Sequence, residues 1–333
     1  MAATIKEVAR QAGVSVGTVS NVIGGTVGVS DFLRERVLRA VRDLDYHPNH
    51  VARSLKIRQT NMLGMVISDI TNPFFPQLVR GAEDAAWKHN YVLTTFNSDD
   101  QLEREKQILA VLRKRNVDGM LLVLAADQGD LTHVRQAAAV TPVVCLDRTT
   151  NSIDVDSVTV DNAAGARECV THLISRGHRR IGILAGALNL ETGRERLRGY
   201  KEALAEAGIP EDPALIRRSD FRVETGYREG KALLEQNPRP TAIFGCNCVI
   251  TLGLLRALGD LNLRCPEDVA VATFDDLPIL GSIRPRLTAV AQPSYEIGFQ
   301  GAEMLIRRLN GDPGRQKIVL PTQLIIREST AGV

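Results

Sequence analysis

Residues 4–25 read TIKEVARQAGVSVGTVSNVIGG, and this stretch decides how the first part of the chain folds. Thr4 and Glu7 stand three apart. At that spacing a hydroxyl accepts from an early helix N–H, and the carboxylate accepts from the backbone N–H of the cap. A helix is expected to begin there. Ile5, Val8, Ala9 and Ala12 fall on one face of it, and Gly13 stands where helices commonly stop in the left-handed conformation that glycine adopts cheaply. Ser15 is an N-cap residue for a second helix, whose apolar side is Val19, Val22 and Ile23 and which Gly24 and Gly25 end. Two short helices joined by a tight glycine turn form the helix-turn-helix pattern. The other side of the second helix carries Val16, Gly17, Thr18, Ser20 and Asn21, small or polar and uncharged. Such a face can lie against base edges and phosphates in a major groove. An ordinary helical hairpin inside a larger core is the competing reading.

Working outward, Ser30 caps an expected third helix that runs to about Leu44. Leu33, Val37, Leu38, Val41 and Leu44 form its apolar stripe, and Arg34, Arg36, Arg39 and Arg42 point elsewhere, towards solvent or towards phosphates. Tyr46-His47-Pro48 breaks the pattern, and Asn49 can cap a short helix from His50 to Lys56. A helix that short is marginal alone in water, so it is a candidate hinge that forms only when held. Leu55 beside Arg53, Lys56 and Arg58 is out of place in a linker. It either packs on the next domain or is a wedge for a minor-groove base step. Residues 1–60 hold nine Lys or Arg against five Asp or Glu, +4, in a chain whose net charge is only +2. The basic excess therefore sits with the helix-turn-helix, as phosphate contact requires.

From Met62 the pattern changes. MLGMVI, VLTTF, GMLLVL, TPVVCL and SVTV are short β-rich runs, with helical patterns at about 75–90 and 101–116. A second series follows, with strands at IGILAG, ALIRRS, AIFGC and VAVATF and helices near 194–207, 225–236 and 249–259. LTAVAQP and QKIVLPTQLIIRES supply late strands around a helix at about 295–309. Such alternation predicts two parallel sheets, each covered by helices. The length, 333 residues, exceeds one ordinary core. No apolar run is long enough to span a membrane, and no signal segment opens the chain, so a cytoplasmic, nucleoid-associated protein is expected. Cys145, Cys169, Cys246, Cys248 and Cys265 show no C-x-x-C pair and read as reduced core thiols, with Cys246 and Cys248 alternating in a buried strand. Neither a G-x-G-x-x-G after a strand, a Walker loop nor G-x-S-x-G is present. No metal or cofactor is expected.

Taken end to end, the chain closely resembles the lac repressor, purine repressor and galactose repressor family. TIKEVARQAGVSVGTVSNVI, HPNHVARSLK, NPFF at 72–75, TGRERLRGY at 192–200 and FDD at 274–276 carry the likeness. The resemblance implies a helix-turn-helix headpiece over 1–47, a hinge helix and linker over 48–60, and a two-lobed core like that of periplasmic sugar-binding proteins. Its N-lobe is expected over 61–161 and 292–320, its C-lobe over 162–291 and 321–333. Thr4, Ser15, Val16, Gly17, Thr18, Ser20, Asn21, Asn49, Arg53, Leu55 and Lys56 are the implied DNA contacts. Asn21 stands where many relatives have Arg or His, so an arginine-to-guanine pair is replaced by a residue suited to an adenine edge. The operator is expected to be a pseudo-palindrome, and the absence of leucine heptads in the tail points to a homodimer.

The core also resembles ribose-type sugar-binding proteins at Asn72, Phe74, Phe75, Asp147, Arg148, Arg196, Phe221, Asn247, Asp275 and Gln292. Each follows a strand or a lobe crossover, where a crevice opens in such folds. Phenylalanines can cover the faces of a sugar ring, while Asp, Arg and Asn can saturate hydroxyls that both donate and accept. Singly, each is as easily a core aromatic or a surface ion pair. Leu124 stands where the ribose-type pattern has an amide, and Leu190 where purine-binding relatives carry an arginine. The expected protein is thus a regulator, most simply a repressor, controlled by a monosaccharide such as D-ribose. A purine or nucleoside, or a protein co-regulator, is the alternative control. A periplasmic-type sugar-binding protein would share the core but needs a signal peptide where this chain has a capped helix, and an enzyme would need a nucleophile–base pair that is not visible.

Overall fold

The computed structural model describes residues 3–23, 29–46, 60–277, 282 and 284–331. The expected hinge helix, with Asn49, Arg53, Leu55 and Lys56, lies outside them, as do Gly24 and Gly25. The chain divides into two compact units, Met1–Thr60 and Asn61–Val333.

In the first unit, α1 (Ile5–Ala12), α2 (Val16–Ile23) and α3 (Asp31–Asp43) bury Val8, Ala9, Ala12, Val19, Val22, Val37, Ala40 and Tyr46 together. The capping box forms: the Thr4 hydroxyl accepts from Glu7 N–H, and Thr4 N–H donates to the Glu7 carboxylate at 2.7 Å. Gly13 adopts φ 64°, ψ 39°, ending α1 in the left-handed region. Thr18 N–H donates to Ser15 Oγ at 3.1 Å, capping α2. Helix α3 departs from expectation twice. Ser30 precedes it but makes no side-chain cap bond, and Leu38 is 40% exposed while Ala40 is buried. Leu38 is one residue, about 100° of helical turn, beyond Val37, so the buried stripe follows Val37 and Ala40, flanked by half-buried Val41 and Leu44. Arg36 is exposed but not free: its guanidinium donates to the Ala12 carbonyl at 2.6 Å and lies 5.6 Å from the centre of the Phe32 ring.

In the second unit, β1 (Met62–Ile67), β2 (Val92–Asn97), β3 (Gly119–Leu122), β4 (Val143–Leu146), β5 (Asp156–Val160) and β11 (Lys317–Leu320) make one sheet, in the order β11-β5-β4-β3-β1-β2. The second sheet takes β6 (Ile181–Ala185), β7 (Ile216–Arg218), β8 (Ala242–Gly245), β9 (Ala270–Phe274), β10 (Thr288–Ala291) and β12 (Gln323–Ile325), in the order β12-β10-β9-β8-β6-β7. Every pairing is parallel except that of β10 with β12. Most of the central strands are buried throughout, as parallel strands covered on both faces must be. The chain passes between sheets three times: after β5, after β10, and between β11 and β12.

Helices α4 (Phe74–Lys88), α5 (Leu102–Lys114), α6 (Thr132–Ala138), α7 (Asn162–Ser175), α8 (Glu191–Glu206), α9 (Val223–Leu234), α10 (Cys248–Asp260) and α11 (Ser294–Leu309) cover the sheets. Helices α6 and α7 were not expected. Helix α6 has only seven residues, and α7 buries mainly small ones, Ala163, Gly165, Ala166 and Cys169, so neither projects a strong apolar stripe. Asp161 was a usable signal, since its side chain caps α7 by accepting from Ala164 N–H at 2.9 Å. The reading of Cys246 and Cys248 as strand residues is also corrected: β8 ends at Gly245, and Cys248 opens α10. Both are buried, and burial pushes the Cys246 thiol up to about 12. No described helix is long and apolar enough to cross a membrane.

Candidate functional site

The carboxyl ends of the strands in both sheets open into one cleft, as the crevice rule for parallel α/β sheets leads one to expect. After β1 come Ser68, Asp69 and Asn72, whose Oδ1 accepts Phe74 N–H at 3.1 Å and turns the chain into α4. Phe74 and Phe75 then stand edge to face, with ring centres 5.1 Å apart. Asp100 follows β2, and Asp147 and Arg148 follow β4. From the second lobe come Thr192 and Arg196 of α8, the 220–222 turn after β7, Asn247 after β8, Asp275 after β9 and Gln292 after β10. All ten residues expected in the cleft line it, around about 530 Å³ of empty space that includes the solvent at its mouth. That is within the range of small-ligand sites.

Asp147 and Asp275 hold equivalent places in the two lobes. Each leaves its strand with a positive φ, 64° and 70°, and each donates its N–H to the neighbouring strand, at Val158 and Val290, both at 3.0 Å. Aspartate tolerates the left-handed region better than most residues, so the turn that aims the carboxylate also selects for it. Burial raises the Asp147 carboxyl to about 6, against the opposing pull of Arg148 and Arg196. Burial raises Asp275 too, opposed by Arg196 and by the hydrogen bond from Gln292.

The guanidiniums are fixed from behind. Arg148 donates to Asp100 and, at 2.8 Å, to the Leu124 carbonyl, while Asp147 stands 3.5 Å from its Nε. Arg196 donates to Asn162 Oδ1 at 2.8 Å and to the Cys246 carbonyl at 2.6 Å, and its guanidinium lies 3.7 Å from the centre of the Phe274 ring. Neither is a surface ion pair: Arg148 is 4% and Arg196 3% exposed. Two buried polar atoms on the cleft make no hydrogen bond, Gln292 Oε1, an acceptor, and Arg148 Nε, a donor that has only the Asp147 carboxylate at ion-pair distance. Buried polar groups are rarely left so unless something else meets them. Asn247 instead spends its Oδ1 on Ile250 N–H at 2.9 Å, as the N-cap of α10.

Phe221 packs where only a glycine fits beneath it. A Cβ at Gly186 would stand 1.9 Å from the Phe221 ring. Leu124 does not face the cleft; it is buried in the first lobe and contributes its carbonyl to Arg148. Leu190 is likewise buried and is not part of the lining. Sequence reasoning missed Ser68, Asp69, Asp100, Thr192, Asp220 and Arg222. Position after a strand was the available signal for Asp69, Asp100 and the flanks of Phe221, but exposed loops are rich in such residues for other reasons.

In the first unit, Val16, Gly17, Ser20 and Asn21 are exposed on α2, with Thr18 half-buried; Ser15 is exposed just before α2 and Thr4 just before α1. The expected DNA face is therefore open to solvent.

Residues 4–49 match the bacterial regulatory proteins of the lacI family, and residues 170–330 match the periplasmic binding protein-like domain. The chain is 36% identical over 330 residues to the ribose operon repressor of Haemophilus influenzae, covering 98% of each chain. It is 35% identical over 335 residues to the HTH-type transcriptional repressor PurR of Haemophilus influenzae strain PittEE, covering 99% of each. A solved LacI family transcriptional regulator from Enterococcus faecium with bound ribose shares 30% identity and a TM-score of 0.74, covering 82% of this chain and 99% of that one. Matched along its whole length by transcriptional repressors, the chain belongs to the lacI family of bacterial regulatory proteins.

Proposed function

We propose that this regulator is a repressor whose cleft binds a neutral polyhydroxylated molecule, with D-ribose as the first candidate. Relatives of nearly equal identity are named ribose operon repressor and PurR, so the names do not settle the effector and the cleft chemistry must discriminate. The observation that carries the reading is the pairing of aromatic faces with buried, pre-oriented polar groups. Phe74, Phe75 and Phe221 offer apolar surface for a ring, while Gln292 Oε1 is a buried acceptor without a hydrogen bond and Arg148 Nε a buried donor that makes none, with the Asp147 carboxylate 3.5 Å away. A sugar hydroxyl serves both roles at once. The lining holds five carboxylates, Asp69, Asp100, Asp147, Asp220 and Asp275, against three guanidiniums, Arg148, Arg196 and Arg222. A phosphorylated sugar would enter an acidic site, which disfavours it.

The two lobes are the N-lobe over 61–161 with 292–320 and the C-lobe over 162–291 with 321–333, and ligand sits between them. Val16, Gly17 and Asn21 of α2 meet operator bases, with Thr4, Ser15, Thr18 and Ser20 on the phosphates. Two headpieces in a homodimer read a pseudo-palindrome, helped by the hinge residues Asn49, Arg53, Leu55 and Lys56. Calorimetry of the full chain against pentoses, hexoses and nucleosides tests the effector. Saturable binding of D-ribose, and no comparable heat from nucleosides, is expected; a nucleoside binding more tightly than every sugar would replace the reading.

A further inference from the structure

We propose that Asp127, with Glu191 and Arg194, forms a clasp between the lobes that sets effector affinity from outside the cleft. Asp127 lies on the loop after β3 in the first lobe and is 4% exposed. Its carboxylate accepts the backbone N–H of Glu191, the first residue of α8 in the second lobe, and pairs with Arg194 of the same helix at 2.9 Å. The exchange is reciprocal, because the Glu191 carboxylate accepts Thr149 N–H, back in the first lobe, at 3.1 Å. Asp127, Glu191, Arg194 and Thr149 therefore tie the lobes in both directions, and an acidic side chain at a helix N-terminus is held favourably.

The clasp is joined to the cleft by one short, pinned loop. Leu124 gives its carbonyl to Arg148 of the cleft, and Ala125 N–H is held at 2.6 Å by Glu105, a fully buried carboxylate whose other oxygen meets His133 at 2.6 Å. Asp127 follows two residues later. A ligand that draws on Arg148 thus acts on the same loop that carries the clasp. Charge-assisted hydrogen bonds between the lobes favour the closed arrangement before any ligand arrives, and apparent affinity scales with the closed fraction. Asp127 is a positioning residue, since it does not line the cleft.

The inference rests on the two-lobed effector reading above, so its test has one arm that needs no ligand. In the unliganded full chain, Asp127→Ala is expected to speed amide hydrogen exchange at Thr149, whose bond is to Glu191 and not to the substituted side chain. A purely local role would change exchange at Glu191 alone, and unchanged Thr149 exchange would overturn the clasp. In the second arm D-ribose is titrated calorimetrically, and Asp127→Ala is expected to bind it on the order of tenfold more weakly. Arg194→Gln, at a side chain about one-third exposed, should act in the same direction more mildly and guards against misfolding of the first variant. Equal ribose affinity in all three proteins would also overturn the clasp. Failure of the native protein to bind D-ribose would count against the effector reading, with the exchange arm then deciding the clasp by itself.

Discussion

Asp147 carries the most sharply tuned chemistry in the cleft. The unfolded chain ionises such a side chain near 3.8, whereas burial raises the folded value to about 6. Its neutral form is therefore the one folding favours; that contribution is complete below about pH 4 and is lost as pH rises through 6. Ligand binding has the opposite sign. A carboxylate accepts from two hydroxyls, and a protonated acid loses half that capacity. Effector affinity should be flat above pH 7 and fall by roughly tenfold per pH unit below 6, and Asp147→Asn should flatten the profile at the lower affinity. Calorimetry between pH 5 and 8 checks this; an unchanged slope in the variant would remove Asp147 from the site. Asp147 and Asp275 are legible in the sequence because each stands directly after an apolar strand, whereas Arg196 lies inside α8 and is marked only by the family resemblance. What supports the arginines is not: Asp100 behind Arg148 and Asn162 behind Arg196 come from elements 48 and 34 residues away, and no local pattern records that.

At the scale of elements, helix packing explains several residues that periodicity leaves unexplained. Helices α4 and α11 approach so closely that a Cβ at Gly81 would stand 1.9 Å from the Tyr295 carbonyl oxygen, and one at Gly298 1.9 Å from that of Leu78. Backbone cannot yield as a flexible side chain can. Gly298→Ala is expected to destabilise the second unit by about 1–3 kcal/mol, the usual cost of overpacking, measured by urea unfolding, with the cleft chemistry itself untouched. An unaffected midpoint would mean that the helices separate freely. The long amphipathic helices and the buried parallel strands were readable because their patterns are strong. Helices α6 and α7 were not, since one is a bare seven residues and the other buries alanine, glycine and cysteine. Helix α3 shows a finer difference: apolar periodicity puts Leu38 on the stripe, but Ala40 is the residue buried with α1 and α2.

For the whole molecule, the fold places a DNA-reading headpiece in series with a cleft closed by two lobes. By linkage, whatever effector does to operator affinity, operator must do to effector affinity. Within the second unit, Arg148 in the cleft and Asp127 between the lobes meet on one pinned loop, which couples the cleft to the contact between lobes. Small uncharged residues on α2 offer few strong base contacts, so the proposed reading needs two heads acting together on one operator. The most direct test measures operator affinity of the full chain with and without saturating D-ribose, alongside Asp275→Ala. The account predicts that D-ribose shifts operator affinity by roughly five- to 150-fold in the native protein, and that Asp275→Ala binds operator as the native protein does but no longer responds. Identical operator affinity with and without D-ribose, or a fully responsive Asp275→Ala, would contradict it.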